Sequence, residues 1–337
     1  MKIAIINGSP EVYNLATHRI KRYHELKGDQ AMITNGGALF VPEVWEAEKA
    51  YFSCIFTWDL PGMVANVNLL QEHNIEIEIG GPAATALPNF ILEHTGIVPA
   101  TGLDPRFEHV PGDNYELVFT SRGCPRGCHF CIVKDIEGRK VVEYDEFPIP
   151  AGKNPWVGDN NILASTWEHQ KLVVRKLKKV RNLDLNSGFD CRIFVNDMEK
   201  YYNLYSQLKL ERWRFAYDKE EEREPIRLCA EFLHSKGVRY SAISVFCLVG
   251  DPIQGDTFEA AKERLQYLVD IDTSPYPMRY RPLDSLKREY TPPGWDNTNM
   301  NALFSYYGVP WFWRKYKWED YSKDFNEHAK LQKERLF

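Results

Sequence analysis

Near the start of the chain, short apolar runs alternate with amphipathic stretches, and this alternation limits the fold to an α/β architecture. Lys2-Ile3-Ala4-Ile5-Ile6-Asn7 reads as a strand buried on both faces, and 17–27 as a helix with Thr17 at its N-cap. Residues 51–56 read as a second strand, 63–73 as a helix, and 75–79 as a third strand running into Gly80-Gly81-Pro82. Strand, helix, strand order predicts a parallel sheet, since parallel neighbours need a crossover between them. After a stretch punctuated by Pro and Gly (99–113), strands are predicted at 115–120, 156–164, 182–187, 212–218, 242–249 and 276–283. Helices are predicted between them at 166–180, 197–208, 220–236 and 258–268. Six such strands predict a partial or full βα barrel with its working residues at the carboxyl ends of the strands. The expected organisation is a Rossmann-like α/β domain over 1–112, a (β/α)6 partial TIM barrel over 113–285, and a small aromatic-rich extension over 286–337. The extension holds Trp295, Tyr306, Tyr307, Trp311, Phe312, Trp313, Tyr316 and Trp318, with Arg314, Lys315 and Lys317 among them.

With 44% hydrophobic and 26% charged residues in 337, the composition is that of a globular chain and excludes disordered or collagen-like readings. No window approaches the ~20 apolar residues of a membrane helix. Residues 1–7 enter a strand without a charged and then apolar leader, so no membrane association and a cytoplasmic location are expected. Seven cysteines are too few, and odd in number, for a disulfide framework.

Three of the seven lie within eight residues, in Arg122-Gly123-Cys124-Pro125-Arg126-Gly127-Cys128-His129-Phe130-Cys131. This C-x3-C-x2-C array follows the first strand of the second series. Three thiolates on one short loop can each hold an iron of a 4Fe-4S cubane, leaving the fourth iron open to a substrate or cosubstrate. Gly123 and Gly127 would let the loop turn tightly, and Arg122 and Arg126 could offset the negative charge of the cluster. The competing reading is zinc, which takes four ligands in structural sites. The next Cys or His after Cys131 is His169, far downstream, and His129 is badly placed between two ligands.

The run Cys-Pro-Arg-Gly-Cys-His-Phe-Cys, with an aromatic residue before the third cysteine, resembles the signature of the radical S-adenosylmethionine (SAM) superfamily. The resemblance implies an enzyme in which Cys124, Cys128 and Cys131 hold a 4Fe-4S cluster, SAM binds the open iron, and reductive cleavage gives a 5′-deoxyadenosyl radical that acts on an unidentified substrate. A reductant such as flavodoxin or ferredoxin is implied as partner. Phe130 and residues at successive strand ends become candidates for SAM: Asp159 and Asn160, where relatives often carry Gly-Gly-Glu; Gly188; Arg192, as a fork donor to the SAM carboxylate; Asp218, toward a ribose hydroxyl; and Gly250, toward adenine. Each of the polar ones also reads as a helix cap or turn residue. Cys229 and Cys247 read as ordinary burial, while Cys191, Arg281 and Asp284 are candidate catalytic residues, and Arg279 a further substrate contact.

The 51–89 segment resembles the cobalamin-binding domain that precedes the barrel in one branch of the superfamily, here in degenerate form. The Asp-x-His-x-x-Gly motif is absent after the first strand, where Ile6-Asn7-Gly8-Ser9-Pro10-Glu11 stands, and His18 and His24 are expected to be solvated. A scaffold role is favoured over bound cobalamin. An anionic small molecule or a nucleic acid is the expected substrate. The aromatic and basic extension and the basic helix with Lys171, Arg175, Lys176, Lys178, Lys179 and Arg181 argue for nucleic acid, while the net charge of −5 argues against it. Alternatives are a cobalamin-dependent radical SAM methyltransferase, a nucleic-acid-modifying radical SAM enzyme, and a zinc-stabilised nucleic-acid-binding or Fe-S electron-transfer protein.

Overall fold

The computed structural model describes residues 1–36, 41–112 and 114–325; Asp113 and the end of the expected extension, 326–337, lie outside them. The protein is mixed α/β with parallel sheets, and its chain divides into two compact units. The first comprises Met1–Asn160, Ala164–Leu183 and Pro282–Arg288; the second comprises Asn161–Leu163, Asp184–Arg281 and the chain from Glu289 on.

In the first unit the strands β1 (Lys2–Asn7), β2 (Gln30–Asn35), β3 (Lys49–Ser53) and β4 (Glu76–Gly80) form a sheet of order 2-1-3-4. Its pairings are all parallel. Alternate residues of β1 serve opposite faces, as strand geometry requires. Ile3 and Ile5 pack with Ile20 of helix α1 (Leu15–Leu26) and with Tyr51 and Phe107. Ala4 and Ile6 join Val44 of the short helix α2 (Pro42–Trp45), Leu60, Met63 and Val67 of α3 (Leu60–Gln71), Ala83 of α4 (Pro82–Ala86) and Ile91 of α5 (Pro88–Thr95). Burying both faces of a central strand explains its uninterrupted apolar run. The strand β2 had no such signal: it is an edge strand carrying Gln30, Thr34 and Asn35, and most of it is only partly buried.

Helix α1 begins two residues before the expected cap. Thr17 is inside it, donating from Oγ1 to the Asn14 carbonyl (2.8 Å). His24 is buried rather than solvated, with its ring nitrogens 2.7 Å from Asp29 Oδ2 and 3.1 Å from Tyr51 Oη. His18 is half-buried and stacks on Tyr13, and burial lowers its pKa.

The rest of the first unit holds α6 (Pro105–Glu108), β5 (Leu117–Val118), β6 (Ser121–Arg122), α7 (Val133–Ile136), β7 (Val142–Glu143), β8 (Trp156–Val157) and α8 (Trp167–Leu177). β5 pairs in parallel with β8, and β6 pairs antiparallel with β7. In α8, Val173, Val174 and Leu177 are buried, and its lysines and arginines occupy the opposite, solvated face.

The second unit holds β9 (Asp184–Leu185), α9 (Cys191–Phe194), α10 (Met198–Tyr205), β10 (Trp213–Ala216), α11 (Arg223–Ser235), β11 (Ile243–Val249), α12 (Phe258–Asp270), β12 (Ser274–Arg279), α13 (Asn297–Gly308) and α14 (Pro310–Lys315). β10, β11 and β12 form a parallel sheet in that order. Ile226, Cys229, Ala230 and Leu233 recur at helical spacing on the buried face of α11. Phe189, Phe194, Tyr205 and Trp213 form an aromatic core with Phe215. The extension was expected only as an aromatic segment. It supplies α13, whose Met300, Leu303 and Tyr307 are buried, and this helix packs on α12 and β12. Among the described residues, no helix is long and apolar enough to cross a membrane.

Candidate functional site

The cysteine array sits in a loop closed by the β6–β7 hairpin. Local hydrogen bonds shape it: Cys124 N donates to Gly138 O (3.3 Å), Cys131 N to Cys128 O (3.1 Å), and Arg139 Nη2 to Pro125 O (3.1 Å). Gly123 has φ +87°, and a Cβ there would lie 2.1 Å from the Lys140 carbonyl oxygen, so only glycine fits this crossing. Cys124, Cys128 and Cys131 are half-buried and form no disulfide. Burial pushes the Cys131 thiol up, and Cys128 and Cys124 add to the shift. Phe130 is half-buried on the same loop, edge-on to His129 at 5.3 Å. Among the described residues, no three His, Cys, Asp or Glu side chains converge as ready ligands of a metal ion.

Glu137, which carried no signal in the sequence, is the hub that holds the loop. Its Oε2 accepts from Gly123 N (2.7 Å) and Asn160 Nδ2 (2.7 Å), and its Oε1 from Arg122 Nη1 (2.9 Å). Arg122 continues to Glu108 through Nε (2.7 Å) and Nη2 (3.1 Å), and its guanidinium lies 3.3 Å from the centre of the Phe119 ring. Arg19 Nη1 reaches the other oxygen of Glu108 (2.8 Å), and Tyr144 donates to Glu108 as well (2.9 Å). Burial alone would raise the Glu108 pKa, but Arg122 and Arg19 outweigh it and hold the carboxyl below its usual range. Arg122 is therefore committed to this buried network rather than free to offset a cluster's charge.

Asp159 is also taken. It is buried and accepts from Thr120 N (2.6 Å), Ser121 N (3.1 Å), Ser121 Oγ (2.9 Å) and Thr120 Oγ1. Thr120 Oγ1 also lies 3.1 Å from His169 Nε2. Burial pushes the Asp159 carboxyl up. Asp159 and Asn160 thus brace the entry to the cysteine loop instead of presenting free groups to a ligand.

The second unit gathers the remaining candidates. Arg192 Nε pairs with Asp190 (2.9 Å) and its Nη1 with Glu222 (3.0 Å). A carboxylate ligand would have to displace them. Asp218 accepts from Leu248 N (2.8 Å), and its carboxyl is pushed up to about 7, by burial first and by Glu222 next. Gly188 has φ +76°, and a Cβ there would meet the Arg214 carbonyl oxygen at 2.7 Å, so it serves a tight turn. Gly250 N donates to Asp256 Oδ2 (2.8 Å). Cys191 is buried and its thiol is pushed up to about 12 by burial, which keeps it protonated and a poor nucleophile. Arg279 Nη2 donates to Asn301 Oδ1 (2.5 Å), tying β12 to α13. Arg281 is half-buried just beyond β12, and Asp284 is exposed and belongs to the first unit. On β12, Tyr276 and Met278 are 49% and 45% exposed, which leaves an apolar strip uncovered within the second unit.

No protein-family model matches the chain, and no curated protein does.

Proposed function

We propose that the protein is a radical SAM enzyme with a single iron–sulfur centre on its cysteine loop. The observation that carries the reading is the placement of Cys124, Cys128 and Cys131, none in a disulfide, on one hairpin-closed loop whose crossing at Gly123 admits only glycine. The residue types suit a cluster: three cysteines with no fourth cysteine on the loop is the pattern that leaves one iron open, although their side chains do not converge as ready metal ligands among the described residues. When bound, such a cluster supplies a single electron at low potential and an iron to which SAM coordinates. The chain's own contribution is to hold the loop, through Glu137 at Gly123 and through Asp159 at Thr120 and Ser121. The finer fold reading goes with this function: a Rossmann-like N-terminal domain acting as scaffold, followed by a (β/α)6 partial barrel. It rests on the order of parallel strands in each unit. Cobalamin is left out, because the end of β1 carries no histidine and its polar groups are engaged with one another. Asn14 Nδ2 donates to Asn7 Oδ1 (3.2 Å) and to the Ser53 carbonyl (3.1 Å).

The test is anaerobic reconstitution followed by iron, sulfide and zinc analysis and by assay of 5′-deoxyadenosine formed from SAM under dithionite. About four irons per chain and SAM cleavage that C124A, C128A and C131A each abolish are expected. Tightly held zinc without SAM cleavage would overturn the proposal.

A further inference from the structure

The sheet of the first unit ends in two edge strands, β2 and β4, and the chain treats them differently. Gln30 N donates to Met1 O (2.9 Å) and Gly36 N to Asn7 O (3.0 Å), so Gln30, Met32 and Thr34 turn their main-chain groups toward β1. Ala31, Ile33 and Asn35 turn theirs outward, where no strand among the described residues pairs with them. On β4, Glu76 N donates to Glu48 O (3.3 Å), and the same alternation leaves Ile77 and Ile79 outward. There Ile79 O accepts from Ala100 N (2.8 Å), and Glu76 and Glu78 put charge on the strand. An open edge is ordinarily protected by charge, proline, a bulge or a covering segment. β4 has charge and a covering contact, whereas β2 is Gln-Ala-Met-Ile-Thr-Asn, with no charge, proline or glycine.

The strand itself shows what pairs there. A two-fold axis normal to the sheet makes an antiparallel pair and sets the strand against its own sequence, so any charge on it meets its own kind. Self-pairing of β4 would oppose glutamate to glutamate. With the axis at Ile33, β2 matches outward residues to outward residues: Ala31 to the partner's Asn35, and Ile33 to the partner's Ile33. Each such pair exchanges two main-chain hydrogen bonds. Met32 falls opposite the partner's Thr34, and no charges oppose one another. The margin is apolar on both faces and only partly covered, with Tyr23, Ala31 and Ile33 on one and Met32 and Val41 on the other. Charges at its near end are matched within the chain: Asp29 holds the Met1 amine (3.0 Å) and His24 (2.7 Å), and Lys27 Nζ donates to Tyr23 Oη.

We propose that β2 is a dimer edge, at which two copies of the chain join their sheets across a two-fold axis at Ile33. The proposal does not depend on the iron–sulfur reading, because association is read on the purified chain with or without iron. Sedimentation velocity should show a reversible dimer with a dissociation constant on the order of 10 µM, as suits a small interface. I33K and I33E each place like charges across the axis and should be monomeric alone, while an equal mixture of the two should recover a dimer. A31P removes an outward N–H and leaves the bonds to β1 intact, as an edge strand tolerates; it should weaken association about tenfold, and it keeps the test available if the Ile33 variants do not fold. Amide exchange gives a second readout: raising the protein concentration should slow the amides of Ala31, Ile33 and Asn35, while those of Met32 and Thr34, already bonded to β1, stay as they are. A monomer at all concentrations up to about 100 µM, a dimer undiminished in folded A31P or I33K, or concentration-dependent protection that spares Ala31 and Ile33 would overturn the proposal.

Discussion

At the residue scale, the seven cysteines differ in what surrounds them more than in what they are. Cys54, Cys191, Cys229 and Cys247 are buried, and burial pushes the Cys54, Cys191 and Cys247 thiols up to about 12, so none is a thiolate near neutrality. The loop cysteines are half-buried. Brief treatment of the folded, metal-free chain with iodoacetamide at pH 8, read by peptide mass spectrometry, should therefore label Cys124 and Cys128 first, Cys131 more slowly, and the other four only on unfolding. Early labelling of Cys191 would reject the assignment of that thiol as inert. Glu137 gives a second prediction. Removing it in E137A leaves the buried Arg122 short of one partner and Gly123 N without an acceptor, at a cost of about 3 kcal/mol in urea unfolding. E137Q retains an acceptor oxygen and should lose less. Equal losses in the two variants would show that the oxygen kept in E137Q contributes nothing, and no loss in either would show that Glu137 does not hold the loop.

At the scale of elements, pattern and environment diverge in instructive places. β1, β11, α11 and α12 stand within a few residues of their expected positions because each buries a continuous apolar run or stripe. The hairpin of β6 and β7 was invisible: each strand has two residues, and it is braced by Asp159 from another segment and by Glu137 within its own connection. The same cause misdirected the site. Asp159, Asn160 and Arg192 carry the residue types a cofactor wants, but the fold uses them on internal partners; Asp159 reaches Thr120 and Asn160 reaches Glu137 far along the chain, outside any local window, whereas Arg192 takes Asp190 two residues away as well as the distant Glu222. Asp218 turns this into a measurable effect. Its folded pKa of about 7 lies above the ordinary 3.8, so its contribution is fully present below about pH 4 and is lost as the pH rises toward 7, where the buried carboxyl must ionise. D218N keeps an oxygen for Leu248 N and never ionises. Relative to wild type, it should gain stability between pH 5 and pH 8, by roughly 1–3 kcal/mol in urea titrations at the two pH values. A pH-independent difference would place the ionisation elsewhere.

At the scale of the whole molecule, the net charge of −5 is spread unevenly, and the basic face of α8 is the kind of solvated helix surface that needs no ligand to explain it. The cysteine loop has little regular structure of its own. Between β6 and β7 its regular structure is the four-residue helix α7, and the rest is turns anchored at Gly123 and Gly138. A ligand that binds only the folded chain stabilises it by an amount that grows with the logarithm of the ratio of its concentration to its dissociation constant. A cluster held by three thiols would add cross-links to a segment with little regular structure. Reconstitution should therefore raise the thermal midpoint of the wild-type chain by several degrees, and chelation should reverse the gain. Amide hydrogen exchange locates the effect: slower exchange should concentrate in peptides spanning 120–143, while β1, β3 and α11, already buried, change little. C128A removes one of the proposed ligands from a half-buried position and should retain the apo midpoint yet lose the shift. A rise in midpoint that survives C128A, or protection spread evenly along the chain, would mean that iron binds somewhere other than the loop.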